Sequence, residues 1–224
     1  MKCTLTGSPA SDILAKLYAD ADAKRANLQP AQRPAKSDGA MTPLERFTLM
    51  KDQYMPIDVP FGNLLYSLIR SSGAKTVVEF GTSFGISTIY LAAAVRDNGA
   101  GQVITTEFIA EKADVARQNL TDAALVDLID FRVGDAMQTL LNPLPGPVDL
   151  LFLDGDKGMY VDIVKLLEPK MRPGCLIVSD NTDQEGAATY LEHVRNPANG
   201  YISTPLLTPG GDKEHSGHEV SVKL

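Results

Sequence analysis

The stretch VVEFGTSFGIST, residues 77–88, starts as an apolar run of strand character, breaks at Gly81 and resumes at Gly85 as the start of a helix. A strand that feeds a helix through a glycine turn makes a ligand site. The first amides of the helix lack partners within it and point at whatever lies there. A dinucleotide fingerprint would read G-x-G-x-x-G, its second glycine admitting a pyrophosphate. Here the pattern is G-x-x-x-G, with Thr82, Ser83 and Phe84 between the glycines. Glu79 precedes the turn, and a carboxylate there repels a pyrophosphate and attracts an ammonium or a sulfonium. Taken alone, the turn also fits a plainer reading, a glycine placed for close packing with Glu79 exposed.

Downstream, short apolar runs alternate with helical periodicity. KTVVEF (75–80), QVITTE (102–107), IDFRV (129–133), VDLLFLD (148–154) and GCLIVSD (174–180) read as strands. GISTIYLAAAVR (85–96), AEKADVARQNLTDA (110–123), YVDIVKLLEPK (160–170) and EGAATYLEHVR (185–195) read as helices. Strand then helix, repeated, is the signature of a parallel sheet covered on both faces, a doubly wound α/β fold. YISTPLLT and HEVSVKL, joined by a polar Gly-rich segment, predict a hairpin and an antiparallel strand at the C-terminal end.

Upstream, Ser11 to Leu28 carries Ile13, Leu14, Leu17 and Tyr18 at helical spacing. QPAQRPAKSDGAMTP (29–43) reads as a linker or exposed loop, Thr42-Pro43 with Glu45 as a helix start, and Phe61 to Ser71 as a helix ending near Gly73. Residues 1–55 are expected to form a helical extension ahead of a domain spanning 56–224.

Of the 224 residues, 44% are hydrophobic and 22% charged, enough apolar material for a packed core. The net charge of −7, with lysines and arginines scattered, argues against nucleic acid and for a small-molecule partner. Cys3 and Cys175 are too few for a disulfide framework, and Cys175 sits inside an expected strand as a buried thiol. No stretch approaches the roughly 20 apolar residues of a membrane span, and the start lacks a signal-like apolar region. The expectation is a cytoplasmic protein with no membrane partner.

In an open α/β sheet, ligands bind outside the carboxyl ends of the strands. Glu107 ends the second strand 26 positions after Gly81, where an acidic residue accepts hydrogen bonds from ribose hydroxyls. Phe108 can cover an adenine face or serve as a core or rim aromatic. The turn Gly134-Asp135-Ala136 lies at the same sheet edge, with Asp135 either beside the ligand or simply capping a helix.

LDGDKGMY (153–160) ends an apolar strand in acids and a lysine. Asp154 closes the fourth strand, and Asp180-Asn181 closes the fifth. If those strands are neighbours, about 4.8 Å apart, two carboxylates and an amide converge on a hard oxygen site suited to Mg2+. Lys157, three residues after Asp154, can face the same pocket, and beside a metal it becomes a plausible base. Asp156 is left as a helix cap or a residue behind the site. His215-x-x-His218 has no third ligand nearby, so those histidines are assigned to a solvated loop.

Together, VVEFGTSFG, TTE, GDA, LDGDK and SDNT, with the antiparallel ending, make residues 75–181 resemble the cation-dependent O-methyltransferases, the group of catechol O-methyltransferase and the caffeoyl-CoA O-methyltransferases. The resemblance implies a Rossmann-like methyltransferase domain over 56–224 that binds S-adenosylmethionine. It implies Glu79, Gly81, Ser87, Glu107 and Ala136 as cofactor residues, with Thr82, Phe108, Asp135 and Asp154 around them and the backbone near Met55 and Ile57 closing over the methionine part. It implies Asp154, Asp180 and Asn181 as ligands of Mg2+, or of Mn2+ or Ca2+, Lys157 as the base, and a homodimer. The acceptor implied is a catechol-like small phenol. The chain departs from the animal catechol enzyme in having Gly155-Asp156 before the lysine, where that enzyme has a bulky aromatic, and in having no tryptophan. LDGDK and SDNT are nearer the plant and bacterial branch. The alternatives are a non-catechol acceptor, such as a hydroxylated amino acid or a polyketide phenol, and a non-catalytic S-adenosylmethionine-binding module. A nucleotide-dependent oxidoreductase would leave SDN unexplained.

Overall fold

The computed structural model describes residues 3–27, 48, 52–207 and 217–224. The expected linker at 29–43, the helix start at Thr42-Pro43 and His215 lie outside the described residues. Seven strands form one sheet: β1 (Thr76–Phe80), β2 (Gln102–Glu107), β3 (Ile129–Val133), β4 (Val148–Leu153), β5 (Met171–Ser179), β6 (Tyr201–Leu207) and β7 (Gly217–Lys223). Their order is β3-β2-β1-β4-β5-β7-β6, with β1 to β5 parallel and β7 antiparallel to both β5 and β6. The doubly wound sheet and its antiparallel C-terminal strand are therefore those expected from the alternation.

Strand alternation supplies a core on each face. Val77, Val103, Leu150, Phe152 and Val178 bury on one side, and Val78, Ile104, Leu151, Leu153 and Ile177 on the other. The first side is covered by α1 (Ala10–Asn27), α2 (Val59–Ser72) and α3 (Ile86–Asn98), with Leu14, Leu17, Leu65 and Ile69 fully or nearly buried. Helix α4 (Ala110–Asp122) also contributes to this side through Leu120. The second side is covered by the short α5 (Ala136–Thr139), by α6 (Tyr160–Leu167) and by α7 (Ala188–Arg195). Helix α2 starts at Asp58, whose carboxylate accepts from the Phe61 amide at 2.8 Å, and stops at Gly73 in the left-handed region. Strand β5 begins at Met171, three residues earlier than its apolar pattern suggests, and pairs with β4 through an irregular register between Val148 and Leu150. No helix among the described residues is long and apolar enough to cross a membrane.

The order places β1 and β4 side by side while their connections run to opposite edges, so a crevice opens between their carboxyl ends. The amino ends are tied by Asp149. Its Oδ2 accepts from the Lys75 amide at 2.8 Å and the Thr76 amide at 2.9 Å, and its Oδ1 pairs with Arg172 on β5. Burial pushes this carboxyl up, but the guanidinium and the two amides outweigh it and hold it below the usual carboxylate range. A carboxylate with a depressed folded-state pKa stabilises the fold above its unfolded value, and that contribution fades as pH falls through the folded one. Asp149→Ala is expected to lower unfolding stability by about 2 kcal/mol at pH 7. In urea titrations the gap from wild type should shrink below about pH 4; a gap independent of pH would contradict the charge-based account.

Candidate active site

A cavity of about 470 Å3 lies over the carboxyl ends of β1, β2 and β4. Of the residues singled out in the sequence, Met55, Ile57, Gly81, Thr82, Ser87, Glu107, Phe108, Asp135, Ala136, Asp154, Lys157 and Asn181 line it. Glu79 and Asp180 do not.

Glu79 was expected to face the ligand, yet it is fully buried beneath the turn. Alternation along β1 sends its side chain under the first turn of α3. There its carboxylate accepts hydrogen bonds from Ser87 at 2.5 Å, Thr88 at 2.6 Å and Thr105 at 2.6 Å. Burial pushes its pKa up, and the three hydroxyls only partly offset this. The carboxylate thus acts on the turn from below, joining β1, β2 and α3. Above it, the Gly81 and Thr82 amides donate to the Thr106 carbonyl at 3.2 and 3.0 Å. Gly81 has φ of 108°, and a Cβ there would lie 2.8 Å from the backbone of Asp154. Only glycine lets the ends of β1 and β4 come this close.

On the β2 side, Glu107 accepts from the Ser83 amide at 2.8 Å and the Ile109 amide at 2.9 Å, one on each oxygen. These bonds aim the carboxylate and leave lone pairs for a diol. Phe108 is 45% exposed on the cavity wall, so the rim reading fits better than the core one. Asp135 caps α5 through the Met137 amide at 2.9 Å, and it also lines the cavity. Among the lining residues not assigned to the site from the sequence, Tyr54 and Phe84 stack with centroids 4.1 Å apart, and Lys112 reaches over the Phe84 ring at 5.2 Å. Burial pushes the Lys112 ammonium down, against the pull of Glu107. Nothing in the local sequence pattern pairs Tyr54 with Phe84.

At the other end, β4 and β5 are hydrogen-bonded neighbours, with Leu153 opposite Ser179, so Asp154 and Asp180 leave the sheet side by side. The Tyr160 hydroxyl lies 2.9 Å from the Leu153 carbonyl and 3.0 Å from that of Asp180, bracing the two strand ends. Lys157 Nζ sits 3.0 Å from Asp154 Oδ1. Asp156 caps the following turn through the Gly158 amide at 3.0 Å. Burial, opposed by Lys157 and reinforced by the charge of Asp180, pushes the Asp154 carboxyl up to about 7. Burial acts on Asp180 as well, but His218, Lys157 and the Asn181 amide outweigh it and hold that carboxyl below its ordinary range.

His218 corrects the solvated-loop assignment. It is the second residue of β7, 7% exposed, stacked on Phe61 with centroids 3.9 Å apart, and its Nδ1 is 2.8 Å from Asp180 Oδ1. The strand pattern HEVSVKL already held the signal. A residue opening a strand beside β5 cannot be loop.

The donor set fits a divalent cation: a buried carboxylate, Asp180, and a partly buried one, Asp154, from adjacent strands, the latter pushed up to about 7 chiefly by desolvation, and the Asn181 amide, with Asn181 at φ of 51°. A hard cation is the natural counter-charge for such a pair.

A family model described as a methyltransferase domain matches residues 78–182. A catechol O-methyltransferase of Niastella koreensis is 36% identical over 177 residues, 72% of this chain and 79% of that protein. The chain belongs to the S-adenosylmethionine-dependent O-methyltransferases. Two solved structures of similar shape are cofactor-bound Rv0187 from MTB and the O-methyltransferase TomG from Streptomyces achromogenes in complex with SAM. The first is 28% identical with a TM-score of 0.73, covering 98% of this chain and 93% of that one. The second is 25% identical with a TM-score of 0.69, covering 86% and 93%.

S-adenosylmethionine is therefore the cofactor of this O-methyltransferase family member, and the crevice over β1, β2 and β4, about 470 Å3, is a cavity of the described residues open to a ligand. Gly81→Ala is expected to strain the turn and push β1 from β4. Calorimetric titration with S-adenosylhomocysteine should show at least a tenfold loss of affinity, together with a lower Tm. Unchanged binding would mean that the turn does not shape the cofactor pocket.

Proposed function

We propose that this O-methyltransferase transfers the methyl group of S-adenosylmethionine to one hydroxyl of a vicinal dihydroxyphenyl small molecule, with a divalent cation such as Mg2+, Mn2+ or Ca2+ held by Asp154, Asp180 and Asn181. The observation that carries this reading is the placing of two carboxylates side by side at the ends of β4 and β5, the buried Asp180 and the partly buried Asp154, with Lys157 on Asp154 at the edge of the cavity. The name of the Niastella koreensis relative, a catechol O-methyltransferase, supports the acceptor class.

A phenol has an ordinary pKa of about 10. A cation at this site would supply Lewis acidity that favours the phenolate near neutral pH. Lys157, as the neutral amine once its ammonium has passed its proton to solvent, is the residue positioned to take the phenolic proton, because it lines the same cavity beside Asp154. Glu107 would hold the ribose hydroxyls and Phe108 would cover the adenine. The segment from Tyr54 to Ile57 would close over the methionine part. Methyl transfer needs no proton donor on the cofactor, so the contribution of these residues is alignment and exclusion of water. The free thiols of Cys3 and Cys175 favour a reducing compartment, and we place the reaction in the cytoplasm.

The test is methyl transfer to a panel of catechols with Mg2+ and with EDTA. Product should form only with the metal, and Asp154→Ala should abolish it. Lys157→Met should lower kcat about 100-fold or more while S-adenosylhomocysteine binding is unchanged. Equal turnover in EDTA would remove the cation from the reaction. Methylation of single phenols as fast as catechols would remove the vicinal diol.

A further inference from the structure

We propose that His218 is a positioning residue of the metal site, acting through Asp180; the inference rests on the cation site proposed above. Three observations carry it. The imidazole is held face-on against Phe61 at 3.9 Å and 11°, so its plane is fixed by a buried aromatic of α2. Its Nδ1 is 2.8 Å from Asp180 Oδ1, the oxygen that also accepts from the Asn181 amide at 2.9 Å. Both contacts therefore fall on one oxygen and orient the other, Oδ2, away from them.

The 2.8 Å approach is an ion-pair-distance contact and not an aligned hydrogen bond, and a proton on Nδ1 faces the carboxylate in either charge state of the ring. A carboxylate that binds a metal through one oxygen while a donor fixes the other gains both orientation and affinity, and loss of such a partner typically costs 10–100-fold in metal affinity. The fold makes the arrangement inevitable. Antiparallel pairing sets Ser179 opposite Glu219, so His218 stands beside Asp180 at the strand ends. The Phe61 amide is fixed by the Asp58 cap at the start of α2, immediately after the cavity-lining segment 54–57.

Mn2+ binding to the full chain, read by electron paramagnetic resonance, tests this without turnover. His218→Phe keeps a ring against Phe61 and removes the donor. Its Mn2+ Kd should rise 10–100-fold while the S-adenosylhomocysteine Kd stays within twofold. His218→Asn, which restores a short donor, should recover most of the metal affinity. In wild type, nuclear magnetic resonance of the imidazole nitrogens should show His218 shifting on addition of Mg2+ while His193 does not, and this readout stands even if His218→Phe fails to fold. Wild-type Mn2+ affinity in His218→Phe, or no Mg2+-dependent shift at His218 where Mn2+ binds, overturns the inference alone. Absence of Mn2+ binding in wild type overturns the cation site and this inference with it.

Discussion

Glu79 holds a carboxylate where water does not reach, and the cofactor cavity depends on it. Three hydroxyls from β2 and α3 converge on that group, so the end of β1, its neighbour strand and the following helix share one anchor. Removing the carboxylate would take the acceptor from Ser87, Thr88 and Thr105 at once and leave the buried Thr88 hydroxyl a costly orphan. Because these hydroxyls are held, the Gly81–Gly85 turn keeps its place over β1 and β2, with the Gly81 and Thr82 amides on the Thr106 carbonyl and the Ser83 amide on Glu107. Because Gly81 has no Cβ, the turn can lie against Asp154. The cofactor side and the acidic side of the site are thus joined by one backbone contact.

Charge is arranged around that contact in opposing pairs. Asp154 and Asp180 repel one another, and each has its own nitrogen partner, Lys157 Nζ and His218 Nδ1 respectively. The consequence is asymmetric: one carboxyl is pushed up to about 7 and the other is held down. A site built only for stability would use apolar residues at these strand ends, since buried charge is seldom the most stable choice. Keeping two carboxylates, an amide and a lysine there makes sense as chemistry.

Much of this was legible in the sequence because its signals are local. Alternating strand and helix periods, Gly81 before a helix, and acids closing two apolar runs all depend on neighbours within a few residues. The α/β pattern placed Asp154 and Asp180 at the carboxyl ends of two strands; that those strands are neighbours is set by the sheet order. What the sequence hid depends on pairings across the chain. The direction of Glu79 is set by which face of β1 meets α3, and the burial of His218 by the partner strand of β7. Tyr54 meets Phe84, and Tyr160 spans two carbonyls, through tertiary geometry with no counterpart in spacing.

The N-terminal helix shows how such long-range pairing bears on the site. Lys24, near the end of α1, donates to the Asp52 carbonyl at 3.1 Å and lies 4.6 Å from the Tyr54 ring centroid. Tyr54 in turn stacks on Phe84 within the glycine turn. The chain just ahead of α1 is fixed as well, since the Thr4 amide donates to Asp97 of α3 at 3.0 Å. A helix held at both ends and buried along Leu14 and Leu17 cannot drift from α3 without exposing core. It therefore restrains the segment 52–57 that walls the cavity. The same segment leads into Asp58 and Phe61, and Phe61 carries the imidazole beside Asp180. One short stretch of chain thus borders both halves of the site, which is why a segment with weak secondary structure can still be placed by strong contacts at either end.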